Sequence, residues 1–166
     1  MFSKVIRSLV VVPVLILVGT IGAAADSSGT GNNMTLTVPS AATLIARVAV
    51  PVTVNIQCTG GIDTSTFYYL NGPYYNSGAS VTVSQASGRT VNSATGTTNQ
   101  PILCDGAARS YQISVLANAP FRTGQAAITS SASWNEYVYG CSYVLGCGSF
   151  QASASASAQG PLTLSG

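Results

Sequence analysis

From Val50 to Cys58 the apolar side chains of Val50, Val52, Val54, Ile56 and Cys58 fall on one side of the chain, and after Pro51 the polar Thr53, Asn55 and Gln57 fall on the other. A period of two is the signature of a strand with one buried face, and here it sets Cys58 at the inward-facing end of that strand. The same beat returns at residues 80–87 with Val81 and Val83, at 110–116 with Tyr111, Ile113 and Val115, and at 125–134 with Ala126, Ile128, Ala132 and Trp134. Shorter runs at 34–38 and 42–48 lack helical spacing, and a Ser-Gly turn leads into a further run at 89–95. From Phe150 the stretch "FQASASASA" alternates Ala and Ser. A low-complexity linker and a final strand both fit it; the strict period and the apolar "LTL" that follows favour a strand with a bulge at Gly160 and Pro161.

Short strands separated by Gly, Asn and Pro, with no helical periodicity, predict an all-β domain. The expected architecture is an immunoglobulin-like antiparallel β-sandwich of seven to eight strands, with a small Greek-key barrel as the alternative.

The first 25 residues stand apart from this pattern. Lys4 and Arg7 precede the apolar run "LVVVPVLILVG", and Ala23 and Ala25 form an A-x-A cleavage site. Roughly 11 apolar residues interrupted by Pro13 are too few for a membrane span, which needs ~20. The reading is a signal peptide at 1–25 cleaved after Ala25, a flexible leader at 26–33 and one domain at 34–166, secreted and with no membrane association once the signal is removed.

Export changes the charge balance. Lys4 and Arg7 go with the signal, leaving Arg47, Arg89, Arg109 and Arg122 against Asp26, Asp63, Asp105 and Glu136. A chain near neutrality with scattered Arg offers no basic patch, which argues against nucleic acid as a partner. The remaining length, about 140 residues, is enough for one core.

All four cysteines, Cys58, Cys104, Cys141 and Cys147, lie in the exported part. An even number in an oxidising compartment implies two disulfides, with three connectivities possible. Cys141 and Cys147 bound the short loop "CSYVLGC", which pairs them locally and leaves Cys58 with Cys104. No C-x-x-C pair and no His occur, so no metal site and no cofactor is expected.

The succession "ATLIARVAVPVTVNIQC", "VTVSQASGR", "CDGAARSYQISV" and "PFRTGQAAITSSAS" resembles a group of small exported immunoglobulin-like domains of Gram-positive bacteria. In that group a strand ending in Cys is followed by a second Cys in a C-D-G turn and by a Gly-led, Ala-rich strand. The resemblance covers about residues 42–133 and the last strand. It implies the sandwich and the Cys58–Cys104 pairing, and it implies no activity. Two inserts depart from the group, one after Cys58 and one after Trp134.

Those inserts hold the aromatic side chains. In an immunoglobulin-like order the connections 59–79, 96–109 and 135–149 gather at one end. Phe67, Tyr68, Tyr69, Tyr74 and Tyr75 fall in the first of these, and Tyr137, Tyr139 and Tyr143 in the third, with Trp134 at its edge; only Tyr111 of the eight tyrosines is left in a strand. Tyr-rich loops on a rigid sandwich suit recognition, because the rings bury area at low entropy cost and keep a hydroxyl for hydrogen bonding. The expected ligand is an extracellular polysaccharide or protein. The competing expectation is structural: "FYYLNGPYYNSG" forms a hairpin turning at Asn71 and Gly72, and "WNEYVYGCSYVLGC" a stapled cap, both covering a core of small side chains.

Catalysis has little to work with. The exported chain lacks His and Lys, and G-x-S-x-G is absent, so no catalytic residue is assigned. Asp63, Asp105 and Glu136 share the three connections; as alternatives they would serve a glycosidase if two faced each other, or bind Ca²⁺.

Overall fold

The alternating run at Val50–Cys58 becomes the middle strand of a sheet. In the computed structural model, which describes residues 31–98 and 100–166, eight strands follow in order: β1 (Asn33–Thr37), β2 (Ala41–Thr43), β3 (Ala49–Thr59), β4 (Phe67–Ser87), β5 (Thr90–Thr97), β6 (Asp105–Leu116), β7 (Gly124–Ser142) and β8 (Gly146–Ser165). The expected signal peptide and most of the leader lie outside the described residues. A three-stranded sheet, β1-β3-β6, packs on a five-stranded sheet, β2-β8-β7-β4-β5. Every pairing is antiparallel except β2 with β8, which is parallel. The expectation of a wholly antiparallel sandwich is corrected on that point.

The period-two pattern explains the core directly. Val50, Val52, Val54, Ile56 and Cys58 of β3 and Tyr111, Ile113 and Val115 of β6 are buried, and they meet Val81, Val83 and Ile128 of the facing sheet. In β8 the alternation buries Ala152, Ala154, Ala156 and Ala158 and turns their serines away from the core. The stretch from Phe150 is therefore a strand, and its register with β7 runs unbroken through Gly160 and Pro161, so the expected bulge is absent. Pro161 is tolerated in the ladder although it donates no N–H.

Residues 42–48 do not form the continuous strand their composition suggests. β2 stops at Thr43, and Ala46 and Arg47 adopt φ of 48° and 62° in a turn. The reason is topological, since the chain must leave the five-stranded sheet after β2 and re-enter the three-stranded one as β3.

The larger correction concerns the two inserts. Residues 67–79 and, apart from the turn at 143–145, residues 135–149 are not loops, because β4, β7 and β8 continue through them as one three-stranded ribbon. Asn71-Gly72 is not the turn of a hairpin. Asn71 pairs with Tyr139 and Tyr74 with Tyr137, so Gly72 and Pro73 together oppose Val138 in a bulge within one long strand. β3 ends at Thr59 and β5 at Thr97, opposite Ser80, so the ribbon projects past the end of the sandwich.

Candidate functional site

Cross-strand partners share a face of a sheet, so the register sorts the aromatic side chains. Trp134, Glu136 and Val138 of β7 are buried on the inner face, while Tyr137 and Tyr139 alternate with them on the outer face. Tyr74 lies opposite Tyr137 and Tyr69 opposite Cys141, which places both on the outer face as well; Tyr75 lies opposite Glu136 on the inner face.

The inner face of the ribbon has its own small core. Phe67 meets Phe150 edge to face, with centroids 4.8 Å apart and planes at 78°, a preferred aromatic geometry. Phe67 lies over Gly140, whose missing side chain makes room for the ring. The segment 60–66 is fastened to this face at both ends. Ile62 N–H donates to Glu136 Oε2 at 2.8 Å, the hydroxyls of Thr66 and Ser142 are 3.0 Å apart, and Tyr143 N–H donates to the Thr66 carbonyl.

The outer face is open. Tyr69, Tyr74, Tyr137 and Tyr139 are 52%, 62%, 42% and 49% exposed. Gln151 of β8 donates from Nε2 to the Tyr137 hydroxyl at 3.4 Å. Toward the body of the sheet the face becomes a field of hydroxyls held in lateral pairs: Ser80 with Ser131 at 3.0 Å, Thr82 with Thr95 at 2.7 Å and Ser84 with Ser93 at 2.9 Å. Gly78 interrupts that field, and a shallow groove of about 640 Å³ runs there past Ser131, Ser133, Ser155 and Ser157. No outward-facing position of β4, β7 or β8 carries a charged side chain.

At the tip, Cys141 and Cys147 are direct partners across the β7–β8 ladder and are joined by a disulfide. Tyr68 stacks at a tilt on Tyr143 with centroids 4.7 Å apart, and its hydroxyl lies 3.6 Å from Cys147 Sγ. Val144 and Leu145 project from the turn into solvent.

A second concave feature lies under the ribbon. A cleft of about 470 Å³ is walled by Tyr75, Trp134, Ile62 and Leu103, with Glu136 and Asp105 contributing carboxylates. The Tyr75 and Trp134 rings are 6.4 Å apart and inclined at 34°. Partial desolvation, and then the Glu136 carboxylate beside it, push the Tyr75 phenol above its ordinary value. Asp105 is engaged by Arg109 through both terminal guanidinium nitrogens, Nη1 and Nη2, which holds its carboxyl well below the usual carboxylate range. Cys104, bonded to Cys58, anchors the strip 101–105 against the end of β3.

Of the nine aromatic positions singled out in the sequence, the ribbon therefore sets Tyr69, Tyr74, Tyr137 and Tyr139 together on one open face and pairs Tyr68 with Tyr143 at the tip. Phe67 and Trp134 point inward, and Tyr75 is exposed beside the cleft. The hydroxyl field was missed, although the alternating Ser of "SASASAS" and "TSSAS" was its signal. Among the described residues no group of His, Cys, Asp or Glu is arranged to hold a metal ion, and no helix is long and apolar enough to cross a membrane.

Fold and site together define a two-sheet β-sandwich with two disulfides, which point to an oxidising, extracellular environment. The chain matches no protein-family model, no curated protein and no solved structure.

Proposed function

We propose that this chain is a secreted, non-enzymatic binding domain of immunoglobulin-like type that holds a neutral extracellular polysaccharide against the outer face of its ribbon. The strand order supports the immunoglobulin-like reading, since strands one, three and six form one sheet and the long β4, β7 and β8 the centre of the other. The observation that carries the binding reading is the sharing of one uncharged face by Tyr69, Tyr74, Tyr137 and Tyr139, all substantially exposed.

Exposed rings at that density cover no core. They present π-faces on which the C–H side of a sugar ring can stack, and their hydroxyls lie within reach of its hydroxyls. The neighbouring Ser and Thr field extends the same surface with small donors and acceptors, and the absence of charge favours a neutral chain over an acidic one. The engaged state of Asp105 supports the non-enzymatic reading, because a carboxylate clamped by a guanidinium is a poor proton donor.

The test is co-sedimentation of the oxidised protein, residues 26–166, with insoluble polysaccharides and purified cell wall, beside a variant carrying Tyr69→Ala, Tyr74→Ala, Tyr137→Ala and Tyr139→Ala. Binding by the native protein that the folded variant loses supports the proposal; binding by neither overturns it. A protein ligand is the second reading, favoured by the exposed Val144 and Leu145 at the stapled tip.

A further inference from the structure

The cleft beneath the ribbon faces away from the tyrosine platform and has a different chemistry. Glu136 is only 7% exposed, yet it lies at the edge of a cavity of about 470 Å³. Its one hydrogen bond to the backbone comes from Ile62 N–H. Among the described residues the one ion pair is Arg109 with Asp105, so no guanidinium neutralises Glu136. Arg47, Arg89 and Arg122 lie in the turns before β3, between β4 and β5, and before β7, all at the opposite end of the sandwich. A carboxylate largely withdrawn from water without a counter-charge is unfavourable, and a cation from outside relieves it.

The walls specify what kind of cation. Tyr75, Trp134, Ile62 and Leu103 are aromatic or aliphatic, and of the side chains that line the space only Glu136, Asp105 and the Tyr75 hydroxyl carry oxygen. A bare metal ion calls for several converging ligands, and among the described residues no three His, Cys, Asp or Glu side chains are grouped to hold one. A cation clothed in carbon suits them: its charge is attracted by the ring faces and by the carboxylate, and its carbon surface fills the apolar sides. The volume also lies within the range of small-molecule sites.

We propose that this cleft binds an organic ammonium group, with Glu136 as the counter-ion and Tyr75 and Trp134 as the aromatic walls. The site is independent of the polysaccharide platform, since the outer tyrosines take no part in it. Amino sugars and quaternary amines present the same chemistry from different sources, and the experiment separates them.

Trp134 is the only tryptophan and lines the cleft, so its fluorescence responds to a ligand bound there. Oxidised protein is titrated with glucosamine and with choline, and with N-acetylglucosamine and glucose as neutral counterparts. The same titrations are made on Glu136→Gln and Tyr75→Ala. Glutamine removes the charge and keeps an oxygen to accept Ile62 N–H, and Tyr75 is well exposed, so both variants are expected to fold; their thermal midpoints check this.

The expected result is a saturable change with at least one ammonium ligand. That ligand should bind at least about tenfold more weakly to Glu136→Gln and to Tyr75→Ala, and more weakly at high salt. A response to glucosamine alone assigns an amino sugar, and a response to choline alone a quaternary amine. Equal binding of the neutral sugars, unchanged affinity in Glu136→Gln, or no response from the folded native protein overturns the proposal. None of these outcomes depends on Tyr69, Tyr74, Tyr137 or Tyr139, so failure here is distinct from failure of the polysaccharide reading.

Discussion

Tyr74 and Tyr137 stand directly opposite each other across the β4–β7 ladder with both rings on the solvent side, while their chain neighbours Tyr75 and Glu136 form the next pair on the inner face. One register step thus divides an open aromatic platform from a carboxylate-bearing cleft. The two surfaces cannot slide independently, because shifting β4 by one residue would exchange them.

The exposed pair contributes little to folding. Replacing Tyr74 and Tyr137 together by Ala should cost no more than about 1 kcal/mol, the scale of one cross-strand pair. Trp134→Ala, at a position 3% exposed in the core, should cost about 3 to 5 kcal/mol. Urea denaturation of the three proteins checks both values, and a loss above 2 kcal/mol for the tyrosine pair would show that the platform is part of the core after all.

Gly140 is a sensitive point of the ribbon. A methyl group there would come within 2.6 Å of the Phe67 ring and 2.7 Å of the Tyr69 carbonyl oxygen. Gly140→Ala should therefore destabilise by about 1 to 3 kcal/mol, the usual range for forcing extra volume into a packed site. Amide exchange should speed up at Phe67–Leu70 and stay unchanged at the centre of β3. An unaltered exchange pattern would mean that the ring moves aside freely.

Much of the sandwich was legible in the sequence because its strands bury one face only. Val50 to Cys58, Tyr111 to Val115 and Ala152 to Ala158 each announce a buried side by period two. The ribbon was not legible for the same reason. Its strands carry rings on both faces, so Tyr68-Tyr69 and Tyr74-Tyr75 break the alternation, and Asn71-Gly72-Pro73 reads as a turn when it is a bulge. Only the equal length of the partner stretch in β7 decides between the two, and that is a tertiary fact. Spacing paired Cys141 with Cys147 and left Cys58 with Cys104, the pairing the resemblance also implied, and both disulfides form; Asp105 and Glu136, assigned to neighbouring connections, line one cleft.

Acid should reveal the Asp105–Arg109 pair. Asp105 titrates below the ordinary carboxylate value of about 3.9 when folded, so the stability it contributes is fully present above that pH and is lost as pH falls through the lower folded value. Asp105→Asn should therefore be less stable than the native protein at pH 6, with the difference shrinking only below about pH 4. Chemical denaturation at pH 6, 4 and 2.5 reads this. A difference that persists undiminished at the lowest pH would assign the loss to the turn, where Asp105 Oδ1 also accepts Ala107 N–H, and not to the charge.

The two disulfides should differ in kind as well as in size. Cys58 and Cys104 are 46 residues apart, a closure that restricts the unfolded chain by about 4 kcal/mol; Cys141 and Cys147, 6 apart, give about 2 kcal/mol. The long closure also ties the strip 101–105 to β3, so Cys58→Ala with Cys104→Ala should loosen the cleft wall and change the Trp134 emission. The short closure lies at the ribbon tip, beyond the sandwich. Cys141→Ala with Cys147→Ala should leave Trp134 emission as it is and expose the Tyr143–Leu145 turn to chymotrypsin, because the strand ends are then free to fray. Equal losses of stability, or a Trp134 response to the tip variant, would show that the ribbon and the sandwich unfold as one unit.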